Sequence, residues 1–262
     1  MVLSDAQPIQ FWPVSCNTFN ENVSDGVHHK CFCQPFNCDD EIVIQGYAEI
    51  DSSPPVPDEY NLTILDENGG ELTEIAFEVQ EIGDRFVYSV SIDMTDMSPD
   101  LCDSRIQFRI DNETTEEPVF KSDCIDIRES HSNTILINYY NHRNFAGLVY
   151  QDTSPDVQFH LRVPAIFYHQ RFPEEDETIE LSSSLVHLNG DIKRMRLLDT
   201  DYIPYYMHEK IKLILKHQFV TIYNKEWVKT EAYEITEGDR RWPVKKAKCW
   251  ISEKEFIHRN VL

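Results

Sequence analysis

The chain has 262 residues, with 24 Lys and Arg against 46 Asp and Glu, and its hydrophobic (41%) and aromatic (11%) fractions exclude wholesale disorder. No run approaches the roughly 20 apolar residues that carry a helix across a bilayer, so no stable membrane insertion is expected, and Met1-Val2-Leu3-Ser4-Asp5 lacks the basic and apolar regions of a signal peptide, so cytosolic synthesis is expected. A formal charge of −22 repels phosphate backbones, which argues against sequence-specific nucleic-acid binding but is compatible with DNA sliding past an acidic wall.

Residues 1-40 show neither helical nor alternating periodicity and read as an irregular N-terminal arm, which would dock onto a partner subunit or be held by a local crosslink. Period-two runs then begin: Ile42-Val43-Ile44-Gln45, Tyr60-Asn61-Leu62-Thr63-Ile64-Leu65 and Ile75-Ala76-Phe77-Glu78-Val79. Asp66-Glu67-Asn68-Gly69-Gly70, between the last two, is a hairpin signal because Asn and Gly tolerate positive φ. Further strands are expected at 85–92, 105–110 and 124–128, and this spacing predicts an acidic β-sandwich over 41-130. The second unit, 131-262, opens with strands at 134–140 and 144–150, then Val157 to Val163, which Pro164 is expected to end. One helix follows at about 202-217, capped by Asp201 with Pro204 in its first turn and Met207, Ile211, Ile214 and Leu215 facing the core; Glu209, Lys210, Lys212 and Lys216 are assigned to its polar face. Strands at 217–223 and 227–235 flank Asn224-Lys225 as a hairpin loop, and a last strand lies near 247–251. The fold class is therefore mainly β: two tandem β-sandwich-like domains, the second with one inserted helix.

The charge is divided unequally. Residues 1-130 hold 28 acids and 6 bases, a net of −22, and residues 131-262 hold 18 of each. An acidic half beside a neutral one invites electrostatic pairing with a partner or a channel lining. The one concentrated positive segment, Arg240-Arg241-Trp242-Pro243-Val244-Lys245-Lys246, would meet the acidic face of a neighbouring copy, and such head-to-tail contacts close into rings.

Candidate sites are weak. Cys16, Cys31, Cys33 and Cys38, with His28 and His29, have ligand types that suit zinc, but Cys31-x-Cys33 is too tight for a knuckle and no second pair matches it. Seven cysteines without an export signal argue against a complete disulfide framework, so reduced thiols are expected, with zinc and disulfides as the alternatives. The clusters Asp39-Asp40-Glu41, Glu116-Glu117 and Glu174-Glu175-Asp176-Glu177 read as solvated surface, lacking the alternating spacing and central Gly of a calcium loop. No nucleophile elbow, His-Glu-x-x-His or Gly-rich phosphate loop occurs, and Ser182-Ser183-Ser184 reads as a loop. No catalytic, cofactor or metal residues are assigned, and the chain is expected not to be an enzyme.

Two stretches carry a resemblance. Cys33-Gln34-Pro35-Phe36-Asn37-Cys38-Asp39-Asp40-Glu41-Ile42-Val43-Ile44-Gln45 resembles the opening of β-sandwich proteins of Bacteroidota phages, and Leu197 to Lys210, continuing through Phe219 to Asn224, is similar to the C-terminal half of that group. The resemblance implies a virion structural protein, a ring or adaptor subunit of the tail as in the crAss-like phages, assembled in the bacterial host cytoplasm. Its implied partners are copies of itself and other tail or portal-proximal proteins, with genomic DNA passing through. The alternative is a carbohydrate- or receptor-binding module at the tail tip, using Trp12, Tyr139, Tyr140, Tyr205, Tyr206 or Trp242 as stacking platforms. Three or more of these exposed in one groove would favour the module, and buried ones the assembly subunit.

Overall fold

The computed structural model describes residues 1–14, 32–50, 57–95, 101–150, 157–181, 184–236 and 244–261, with only the backbone course for 175–181, 184–191 and 256–261. The protein is mainly β with a single helix among the described residues, as the periodicity predicts.

The first unit is built from two facing sheets. One has the order β1 (Val2–Leu3), β4 (Glu41–Glu49), β8 (Arg85–Asp93), β7 (Glu78–Ile82). The other centres on β9 (Arg105–Asn112), which pairs with β5 (Tyr60–Asp66), β10 (Glu117–Ser122) and β11 (Ile125–Arg128). Three further strands extend it: β6 (Glu71–Ala76) on β5, β2 (Phe11–Pro13) on β10, and β3 (Gln34–Asn37) parallel to β11. The expected hairpin turn is present, with Asp66 N–H donating to the Gly70 carbonyl at 2.8 Å and Gly69 at φ +85°. Ile42, Ile44, Leu62, Ile64, Tyr88, Ile106 and Phe108 fill the space between the sheets.

The arm, expected to be irregular, contains β1, β2 and β3. Strands of two to four residues are too short to display a period, and these draw their order from the sheets they join.

In the second unit the sheet closes on itself. Strand β15 (Ser184–Thr200) pairs with both β13 (Phe159–Arg171) and β21 (Ala247–Val261), and the ring is completed by β18 (Lys225–Lys229), β17 (Phe219–Ile222) and β12 (Thr134–Tyr140). Ile135, Ile137 and Tyr139 of β12 and Phe159, Leu161, Val163, Ala165 and Phe167 of β13 alternate into the interior, as a small barrel filled by side chains requires. Helix α1 (Tyr205–Ile214) lays Met207, Ile211 and Ile214 on the same core.

Four local expectations are corrected. Pro164 does not end β13: Ala165–Thr200 is the last pair with β15, and the next bond there, Asp201 N–H to the Pro164 carbonyl at 2.9 Å, uses proline's acceptor rather than its missing donor. Residues 144–150 form no strand but a tight turn, with a Phe145–Leu148 bridge and positive φ at Ala146 and Gly147. The hairpin loop is Tyr223-Asn224, one residue earlier than expected, because a two-residue turn needs two positive φ values and those residues have +50° and +59°. The helix begins after Pro204, which caps it without a side-chain bond, while Asp201 instead pairs with Lys246 at 3.1 Å. Ile203 and Pro204 are held extended against Val244 and Lys245, and that fixes where the helix starts.

Candidate functional site

Two features stand out once the units are placed: a polar seam between them and a sheet that leaves the barrel.

The seam is organised by β4, which is buried on both faces. Ile42 and Ile44 enter the core of the first unit, while Val43 belongs to the core of the second. Gln45, 2% exposed, reaches across with both ends of its amide, accepting from Val149 N–H at 2.6 Å and donating to the Val149 carbonyl at 3.0 Å. It thereby imitates a strand pair where no strand exists. Beside it, Arg162 grips Asp40 with two donors, at 2.6 and 2.7 Å, and Asp40 also accepts Asn37 N–H at 2.8 Å. The reading of Asp39-Asp40-Glu41 as solvated surface is corrected at Asp40, whose side chain is 3% exposed. Glu116 and Glu117 are exposed, in keeping with that reading.

Residues 1–13 run through the seam as a strap. Tyr139 donates its hydroxyl proton to the Ala6 carbonyl at 2.6 Å, Ser4 donates to the Ala146 carbonyl at 2.5 Å, and Gln34 donates to the Pro8 carbonyl at 3.0 Å. The strap sits tightly: a side chain at Gly46 would meet Met1 at 2.8 Å and Leu3 at 3.0 Å. Lys210, assigned from sequence to the polar face of the helix, is instead buried at 3% exposure, and its Nζ donates to the carbonyls of Asp5 (3.2 Å), Gln7 (2.8 Å) and Ile9 (3.2 Å). Burial pulls this amine down to about 7, with Asp5 and Asp123 pulling it back up. Three carbonyl acceptors call for three donors, which only the ammonium form has. Over its described part, the arm thus docks onto its own chain.

Crosslinks lie beside the seam. Cys33 is bonded to Cys124 and Cys38 to Cys102, so the expectation of reduced thiols is corrected at both arm positions. The first bond ties the entry of β3 to the entry of β11, and the second ties the loop after β3 to the turn before β9. Cys249 is buried and unbonded, its thiol pushed up to about 11 by burial, hence inert. Cys16, Cys31, His28 and His29 lie outside the described residues, and among the described ones no group of three metal-ligating side chains converges.

His208, on α1, is fully buried. Its Nε2–H donates to the Lys245 carbonyl at 3.0 Å, so Nδ1 accepts from the Tyr233 hydroxyl at 2.8 Å. Burial lowers its pKa from 6.5 to about 4, and burial also lowers those of His160 and His217. A histidine held neutral contributes stability that is complete above about pH 6.5 and lost as pH falls toward the folded-state value. A denaturant titration at pH 5 is therefore expected to give about 1 to 2 kcal/mol less stability than at pH 7.5 from His208 alone. In His208→Gln that part of the acid sensitivity disappears.

The second feature is a tongue. From Arg194 outward, β15 leaves the barrel, flanked by β14 (Glu174–Leu181) on one side and the end of β21 on the other. Register runs Glu174↔Ile192 to Leu181↔Ser184 for the first pair and Lys193↔Ile257 to Asn189↔Val261 for the second. At about 3.3 Å per residue, the stretch from Ser184 to Ile192 projects roughly 25 to 30 Å. Among the described residues nothing pairs with the outer edge of β14, or with β21 beyond Glu253 on the side away from β15. The acidic run Glu174-Glu175-Asp176-Glu177 is thus part of a strand. Ser184 begins β15, and Ser182 and Ser183 lie outside the described residues, as do Arg240, Arg241, Trp242 and Pro243 of the basic segment.

One depression, about 610 Å³, is open and lies between the Asp66 turn and the ends of β9 and β11. Two of its acids are already engaged: Asp66 accepts the N–H groups of Asn68 and Gly70 at 2.8 and 2.7 Å, and Asp126 pairs with Arg128 at 2.9 Å. Of the proposed stacking aromatics, Tyr139 is buried, Tyr140 stacks on Phe219 at 4.3 Å, and Trp12 meets Tyr206 edge-on at 6.2 Å, which leaves Tyr205 exposed.

Comparison with known proteins gives no match to any family model, curated protein or solved structure. Cys33, Gln34, Asp40, Gln45 and Lys210 all bind across the seam or beside it.

Proposed function

We propose that the chain is a non-enzymatic structural subunit of a phage tail, one copy of an oligomeric ring or adaptor around the DNA conduit. The observation that carries this reading is the tongue, a projecting sheet whose two outer edges find no partner strand among the described residues. An element of this kind is stable in water only at a cost, because unpaired edges recruit other strands, and a neighbour supplies the missing partners. The seam supports the same reading. Bidentate Asp40–Arg162, the Gln45 clamp and the Lys210-bound strap make the two units a single rigid lever, which an assembly needs and a flexible tether does not.

Charge contributes in a second way. The acids Glu71, Glu74, Glu78 and Glu81 are exposed along β6 and β7, at the open edges of the first unit's sheets, where they discourage adventitious strand pairing and repel DNA. Neighbouring tail or portal-proximal proteins with basic surfaces are the natural contacts of that flank. The disulfides fit a particle that spends its extracellular life in oxidising surroundings, with bond closure following release from the host cytoplasm.

Sedimentation of the full chain across a salt series tests the proposal beside a variant in which residues 175–191 are replaced by an Asn-Gly turn joining the paired Glu174 and Ile192. The full chain is expected to form a large closed oligomer and the trimmed one to remain monomeric. A full chain that is monomeric at every salt and protein concentration overturns the reading.

A further inference from the structure

We infer that the tongue's two edges are complementary to each other, so that β14 of one copy pairs with the end of β21 of the next and the tongues join into a continuous ring of strands. This rests on the ring-subunit reading and names the contact that builds the ring.

Three properties of the tongue lead there. Its edges lie on opposite sides, since the strand order is β14, β15, β21. They also run in the same direction, because each is antiparallel to β15. Rotation about an axis along the tongue therefore brings a neighbour's β21 beside β14 as a parallel strand, and every copy meets the next in the same way. A two-fold pairing of like edges would join β14 to β14 and set two runs of acids side by side.

The third property is charge. Strand β14 carries Glu174, Glu175, Asp176, Glu177 and Glu180 and no base, whereas from Phe256 onward β21 carries Arg259 and no acid. Unlike edges attract and like edges repel, which selects the head-to-tail contact. The backbone is available for it as well. Lys193 N–H donates to the Pro173 carbonyl at 3.2 Å, so alternation along the antiparallel ladder turns the N–H and C=O groups of Glu174 and Asp176 outward, away from β15.

Size is consistent with the role. Barrels of about 16 to 18 strands leave an aqueous channel, and about six tongues of three strands would supply that number. The acidic strand in each repeat would give such a wall the sign that lets DNA pass.

A charge-swap experiment on the full chain separates this contact from any other. One variant makes both edges basic (Glu174→Lys, Asp176→Lys, Glu180→Lys), and the other makes both acidic (Arg259→Glu). The substitutions lie outside the barrel, and an unchanged melting temperature of each isolated variant confirms intact folding. By sedimentation each variant alone is expected to lose at least tenfold in assembly, and an equimolar mixture is expected to recover rings of alternating copies. If wild type forms rings and each variant alone forms them equally well, the edge pairing is wrong while the ring-subunit reading stands. If wild type forms no oligomer, both fall together.

Discussion

Opening either disulfide is expected to lower the melting temperature by about 10 to 15 °C. The bonds close stretches of 91 and 64 residues, and chain entropy assigns roughly 4 to 5 kcal/mol to loops of that length. In a domain of this size each kcal/mol is worth about 2 to 4 °C. The loops are nested, Cys38–Cys102 lying within Cys33–Cys124, so removing both costs less than the sum. The effect should fall on the first unit, whose β3 and β11 are tied together, and through it on the seam. A thermal scan of Cys38→Ser/Cys102→Ser beside the parent chain, with free thiols counted, checks this. A scan that does not move while the thiol count confirms the missing bond would show that the pairing has no energetic consequence.

Breaking the ion pair across the seam is the second large effect. Arg162→Met leaves the Asp40 carboxylate at 3% exposure with only Asn37 N–H to bind it, and stranding a buried charge costs about 3 to 5 kcal/mol. The double variant Asp40→Leu/Arg162→Met removes the stranded charge and is expected to recover most of that loss, because replacing both members of a buried pair with apolar groups is often near neutral. Urea titrations of the two single variants and the double variant give the coupling directly. A single-variant cost below about 1 kcal/mol would mean that water reaches Asp40 and that the seam is looser than described.

How much of this was legible in the sequence follows from burial. Strands with one face inward, such as β9 and β12, show clean alternation, and their bounds are nearly those read from the pattern. Helix α1 is legible from Met207, Ile211 and Ile214, and the same stripe holds a further signal. Lys210 lies three residues after Met207 and four before Ile214, on the buried face, so a long cation there needs buried acceptors. Those acceptors are strap carbonyls some 200 residues away in sequence, which no local pattern reveals.

The remainder was hidden for related reasons. Barrel closure depends on β15 pairing with β21 across more than 50 residues, and Asn189-Gly190 inside β15 looks like a turn although it lies in a strand. The partners of Cys33 and Cys38 are distant Cys124 and Cys102, and spacing alone does not fix connectivity. The acids of β14 looked like solvated surface because a projecting edge strand and a charged loop have the same composition.

Electron microscopy of the purified, oxidised full chain at low salt tests the central claim most directly. Closed rings of uniform copy number around a central opening, with the tongues gathered toward the axis, are the predicted result. Fields of isolated two-lobed particles at every concentration would contradict it.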